Sequence, residues 1–187
     1  MDNSEIEHIV SDIKQGKTER FALLVDEYKH MVYALCLKMT NSKEDAEEVA
    51  QDTFVKAFLG IKRFKGKSKF STWLYQIAYF SSIGHLRKKK HHHSNDLEID
   101  VTDTNSDVFS NLIQTEREIK LKEALKFLNP DERAIISLFY LDAFSIKDIA
   151  KITKLSESNV KVKVHRIKKK LHNILSASLK NEVHSLI

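Results

Sequence analysis

Two stretches of this chain carry the residue types that hold nucleic acid. Between residues 56 and 93 stand ten Lys or Arg and no Asp or Glu. Woven through that stretch are Phe64, Phe70, Trp73, Tyr75, Tyr79 and Phe80. Cations neutralise a phosphate backbone, and aromatic faces stack on unpaired bases at about 1–3 kcal/mol each, so the mixture suits single-stranded nucleic acid. The same aromatics also suit a helical core, because Leu74, Ile77 and Ala78 mark a buried stripe beside Trp73. The second stretch, residues 151–172, has eight Lys or Arg against one carboxylate. There the pattern predicts a short helix, a turn at Lys154-Leu155 and a second helix whose apolar stripe is Val160, Val164, Ile167 and Leu171. Lys161, Lys163, His165, Arg166, Lys169 and Lys170 fall opposite that stripe. This is a helix-turn-helix pattern, with Ser156 and Asn159 near the start of the second helix placed for base edges. A solvated basic face on an ordinary bundle helix satisfies the same spacing.

Other chemistry finds little support. Glu44, Asp45, Glu47, Glu48 and Asp52 include an i, i+4 row of carboxylates, but no His or phosphate-cradling loop joins them to make a cation site. His91-His92-His93 invites a metal, yet adjacent side chains diverge and no Cys or carboxylate completes the set. Cys36 is the single cysteine and reads as a small buried hydrophobe. No nucleophile elbow or Walker loop occurs, so neither catalysis nor a cofactor is expected.

The elements that position these residues are helical. Four Gly and one Pro in 187 residues are too few for a turn-rich sheet protein, and 42% hydrophobic residues allow a core. Ile6, Ile9, Val10 and Ile13 share a face before Gly16. Thr18 opens a segment to residue 40 with Phe21, Leu24, Tyr28, Val32 and Leu35 on one side. Ser42 and Asp45 make a capping-box-like start for a helix to residue 59, which Gly60 is expected to end. Residues 62–69 read as a basic loop before a helix over 71–90. In that helix Gly84 costs about 1 kcal/mol relative to Ala and so needs a packing or functional reason. A further helix is expected over 112–128. Asn129-Pro130-Asp131-Glu132 supplies a cap, a first-turn proline and an acidic third position. Ser145 and Ser156 cap the last two helices.

Charge is sorted along the chain. Residues 43–55 carry five acidic groups and one basic, whereas residues 94–111 carry five acidic groups and no Lys or Arg. Such Asp-, Ser- and Thr-rich sequence reads as a flexible acidic linker. The expected organisation is therefore all-α: an N-terminal helical domain over 1–93, the linker over 94–111 and a helix-turn-helix domain over 112–187. The net charge of +5, the acidic start and the lack of an apolar run of about 18 residues predict a soluble, cytoplasmic protein.

The run Asp45-Ala46-Glu47-Glu48-Val49-Ala50-Gln51-Asp52-Thr53-Phe54-Val55-Lys56-Ala57-Phe58 resembles the polymerase-binding helix of extracytoplasmic-function (ECF) sigma factors of the sigma-70 family. Phe64-Lys65-Gly66, Phe70-Ser71-Thr72-Trp73-Leu74-Tyr75-Gln76-Ile77-Ala78 and His85-Leu86-Arg87-Lys88 are similar to the family's promoter-melting segment. Leu128-Asn129-Pro130-Asp131-Glu132-Arg133, residues 145–150 and Val160-Lys161-Val162-Lys163-Val164-His165-Arg166 resemble its C-terminal region. The blocks follow the family's order through both domains.

The resemblance implies a transcription initiation factor that binds core RNA polymerase, recognises the −35 and −10 promoter elements and promotes DNA melting. It implies that Asp45, Glu48, Gln51, Asp52 and Lys56 face the polymerase. Lys65, Gly66, Ser68, Lys69, Phe70, Ser71 and Thr72 would capture a flipped base of the single-stranded −10 element. Lys62, Arg63, Arg87 and Lys88 would hold the adjacent backbone. The −35 duplex would meet Ser156, Asn159, Lys161, Val162, Lys163, His165 and Arg166, and the linker would thread the polymerase's RNA channel. An anti-sigma factor is implied as a further partner, without direct membrane insertion. Tyr79-Phe80 replaces a common polar pair, with Phe80 stacking where Asn would hydrogen-bond. Gly84, Asp148 and Val162 are further departures, which point to altered promoter sequence. The competing reading is a stand-alone helix-turn-helix regulator; a metal-dependent RNA-processing enzyme is a third.

Overall fold

Capping side chains and glycine conformation set several helix boundaries of the N-terminal unit. In the computed structural model, which describes residues 1–93 and 116–185, α1 (Asn3–Lys14) opens with a capping box. The Asp2 carboxylate accepts the Glu5 amide, and the Glu5 carboxylate accepts the Asp2 amide in return. Its expected face is buried: Ile6, Ile9, Val10 and Ile13. Gly16 takes φ +107°, so the chain turns where a side chain would be strained. A 3-10 turn at Thr18–Arg20 then leads into α2 (Phe21–Thr40), a division of the single segment expected from Thr18. The buried Asp12 carboxylate holds that turn by accepting from Lys17 and Arg20.

Ser42 accepts the Asp45 amide and starts α3 (Lys43–Gly60). The helix ends at Gly60, within a residue of the expected stop, but with φ −90° and not in a left-handed turn, and the winding tightens into a 3-10 turn through Ile61–Arg63. Gly60 sits instead against the indole, where an added Cβ would meet Trp73 at 3.4 Å. The last helix of the unit, α4 (Phe70–His93), begins one residue early and runs three residues past the expected end. Leu24, Val32, Leu35, Cys36, Met39, Ala46, Ala57, Leu74, Tyr75 and Ala78 have no exposed surface and form the core between α2, α3 and α4. Full burial of each large side chain contributes about 1.5–3 kcal/mol.

The C-terminal half of the chain carries α5 (Glu116–Lys126), α6 (Pro130–Tyr140), α7 (Ile146–Thr153) and α8 (Glu157–Ser185). Asn129 and Glu132 form the expected capping box at α6, with Pro130 in its first turn. Ala124, Leu128, Ala134, Ile135, Leu138, Ile149, Val160, Val164 and Ile167 are buried. Leu171 is only half-buried. The proposed linker and the start of the helix expected from residue 112 lie outside the described residues. Among those described there is no strand, and no helix is long and apolar enough to cross a membrane.

Candidate nucleic-acid interface

The basic loop of the N-terminal unit hangs between two buried aromatic rings. Phe64 and Phe70 are 7% and 3% exposed and meet edge to face at 5.7 Å. Trp73 packs on both, at 5.2 Å and 5.6 Å, and Tyr28 of α2 packs on Phe70. Lys65, Gly66, Lys67 and Lys69 are exposed between these anchors, and Ser68 is half-buried. Gly66 has open space around it but takes φ +68°, so the backbone, not crowding, asks for glycine.

Two members of the expected base-capturing set are buried. Phe70 opens α4 on the inward face shared with Leu74 and Ala78 at i+4 and i+8, and Thr72 lies on the buried side with Tyr75 and Tyr79. Phe70 and Thr72 therefore support the loop from beneath, and Ser71 is half-buried. Lys62, Arg63, Arg87 and Lys88 are exposed cations. Phe80 is 38% exposed and meets the buried Tyr79 edge to face at 5.2 Å.

The acidic row on α3 divides in two. Glu48, Gln51 and Asp52 are exposed. Asp45 is drawn inward: its Oδ2 accepts from Lys89 Nζ at 2.7 Å, and its Oδ1 is 3.0 Å from His85 Nε2. Burial pushes its carboxyl pKa up, but the hydrogen bonds and charges of Lys89 and His85 outweigh that and hold it below the ordinary value. Lys56 reaches across to α4, donating to Ser81 Oγ at 3.0 Å as well as to Asp52. Two apolar residues absent from the expected set continue the exposed row: Val55 at 56% and Leu59 at 74% exposure. Their spacing of four residues from Gln51 was the available signal.

In the C-terminal unit, Ser145 accepts the Asp148 amide at the start of α7, and Ser156 accepts the Asn159 amide at the start of α8. With Val160, Val164 and Ile167 buried, α8 turns Lys161, Val162, His165 and Arg166 outward, Val162 at 47% exposure. Ser156 and Asn159 are exposed at the same end, and Lys163 is half-buried. Lys170 is a correction to the free basic face, since its ammonium donates to Glu132 of α6 at 2.8 Å. Burial raises the Glu132 pKa, but Lys170 and the Asn129 amide more than offset this, so it lies below its usual range. Among the described residues no group of His, Cys and carboxylates is set to hold a metal.

Comparison with known proteins adds to this geometry. Residues 24–92 match the family model for Sigma-70 region 2, and residues 118–171 match that for Sigma-70, region 4. The ECF RNA polymerase sigma factor SigW of Bacillus subtilis is 31% identical over 167 residues, covering 84% of this chain and 89% of that protein. The ECF RNA polymerase sigma-E factor of Haemophilus influenzae is 28% identical over 175 residues, covering 88% and 92%. Among solved structures, the sigma factor RpoE of Bartonella quintana, in complex with the anti-sigma factor NepR, shares the fold. Its TM-score is 0.69 at 23% identity, over 83% of this chain and 96% of that one.

Proposed function

This chain belongs to the ECF sigma factors of the sigma-70 family, and from that membership we propose which of its surfaces performs each part of transcription initiation. The protein is a transcription initiation factor carrying regions 2 and 4 in one chain. A stand-alone helix-turn-helix regulator has no use for the region 2 match over residues 24–92, so that alternative is set aside. In this reading residues 1–93 bind core polymerase and the −10 element, residues 94–111 connect, and residues 112–187 bind the −35 element.

The polymerase meets Glu48, Gln51 and Asp52 with the exposed Val55 and Leu59 beside them, while Asp45, drawn inward to Lys89, and Lys56, tied to Ser81, set the geometry of that face. A polar row with apolar neighbours suits a partner surface, because the apolar part supplies burial and the charges supply register. Single-stranded −10 DNA lies along the loop, with Lys65, Lys67 and Lys69 on its phosphates and Gly66 permitting close approach. Lys62, Arg63, Arg87 and Lys88 extend the cationic track, and Phe80 offers a stacking face. Lys161, Val162, Lys163, His165 and Arg166 meet the −35 duplex, with Ser156 and Asn159 at base edges. The fold shared with a sigma factor solved with its anti-sigma factor supports an anti-sigma partner here too.

The observation that carries the reading is the loop. Three exposed lysines stand between two buried aromatic anchors, so the cations are held out from the body without an internal carboxylate partner of their own element. The test is promoter opening by full-length protein with core polymerase, read as unpaired thymines near the start site. Replacing Lys65, Lys67 and Lys69 together by Ala should leave core binding intact and cut opening at least about tenfold, with a shallower salt dependence. Wild-type opening by that variant would remove the loop from the account.

A further inference from the structure

We propose that Lys14, the last residue of α1, is a positioning residue for promoter melting: it fixes the backbone from which the basic loop departs. The inference rests on the loop reading above. Its ammonium donates to the Phe64 carbonyl and stands 5.6 Å from the centroid of the Phe64 ring. Phe64 is where the 3-10 turn gives way to extended backbone, at φ −67° and ψ 115°, with its own amide bonded to the Ile61 carbonyl at 3.1 Å. The direction taken by Lys65 and Gly66 is therefore set at this residue. Its carbonyl is the last acceptor before the loop, and Lys14 holds it.

The strut has a firm base. The apolar face of α1 is buried, Asp12 accepts from Lys17 and Arg20, and the Met1 ammonium pairs with Glu27 of α2 at 2.9 Å. Glu7, Val10 and Ser11 of α1 face Phe64, Lys65 and Gly66 across a cleft, and Lys14 spans it. The region 2 match begins only at residue 24, so this strut comes from outside the matched segment. A charge-assisted hydrogen bond combined with a cation–π contact fixes both the carbonyl and the ring. A loop fixed in advance loses less conformational freedom when DNA arrives.

The experiment compares wild type, Lys14→Met, Lys14→Arg and the triple loop variant, all full length. It reads core-polymerase affinity, promoter opening and the emission of Trp73. Trp73 is the one tryptophan of the chain and lies 5.2 Å from the Phe64 ring. Methionine keeps the apolar stem but lacks the donor. It should leave core affinity within about twofold, slow opening about tenfold and shift the emission, while arginine restores both. Wild-type opening by Lys14→Met, with opening lost in the loop variant, would overturn the inference and leave the loop reading standing. Unchanged opening in both would remove the loop reading and the strut with it. Slowed opening with unchanged emission would make Lys14 a direct DNA contact, and loss of core affinity would make it a general stabiliser; either result overturns the positioning role.

Discussion

Asp45 and Lys89 meet across two helices, carboxylate Oδ2 to ammonium Nζ at 2.7 Å, and so tie the first turn of α3 to the late part of α4. His85 joins the same carboxylate, whose side chain is only 15% exposed. The acidic residue heading the family-like run is thus held by two cation-forming neighbours of its own unit. Replacing it by Asn keeps its volume and removes the charge. The expected cost is about 1 kcal/mol of stability for the N-terminal unit, read by urea unfolding at neutral pH, since the pair is partly exposed. A cost of zero would show that the tie contributes nothing.

The pH dependence follows with a definite sign. Asp45, Asp12 and Glu132 all have carboxyl pKa values held below their ordinary ones: Asp45 and Glu132 despite burial, Asp12 chiefly by Lys17. A carboxyl depressed in the folded state binds its proton more readily when unfolded, so its contribution is complete above the unfolded value and lost as pH falls through the folded one. Stability should therefore be flat above about pH 5 and fall below about pH 4, where unfolded carboxylates titrate. Asp45→Asn should remove part of that slope. An identical slope in the variant would assign the effect to other carboxylates.

Gly84 lies inside α4 with nothing within 4 Å of where a Cβ would stand. Packing therefore supplies no reason for glycine. Gly84→Ala should stabilise the unit by roughly 0.5–1 kcal/mol, seen as a raised melting temperature. A lowered melting temperature would mean that the helix needs glycine here for a reason other than space.

Cys36 is fully buried, and burial pushes its thiol pKa up to about 11, partly offset by Ser82 and Thr53. The thiolate is the reacting species, so labelling by a thiol reagent at pH 8 should be at least about a hundredfold slower in the folded protein than in urea. Comparable rates would show that α2 opens readily around this position.

The parts of the fold that could be read in the sequence were those set by local chemistry. The caps at Ser42, Asn129, Ser145 and Ser156 and the stripes of α1, α2 and α8 depend on neighbours within a turn or two, and periodicity exposes them. The end of α3 at Gly60 is legible too, but not its conformation: glycine at a helix end usually takes a left-handed φ, whereas here φ is −90° and the chain tightens into a 3-10 turn beside the indole of Trp73. Phe70 and Thr72 resemble surface residues in a basic, polar run; only the start of α4 decides which way they point. Lys14 carried no signal at all, because its acceptor is a backbone carbonyl fifty positions along the chain.

The exposed row of α3 is the surface we propose for joining this protein to core RNA polymerase. The measurement that tests it most directly is capture of bacterial core polymerase by the tagged full-length chain, comparing wild type with Gln51→Ala/Asp52→Lys. Both substituted residues are exposed on a helix whose opposite face forms the core, so the variant should fold. Wild type should retain core polymerase, and the variant should lose at least about tenfold in affinity, with unchanged binding to duplex DNA. Failure of the wild type to capture core polymerase with its duplex-DNA affinity intact, or capture by the variant equal to that of wild type, would contradict this role for α3.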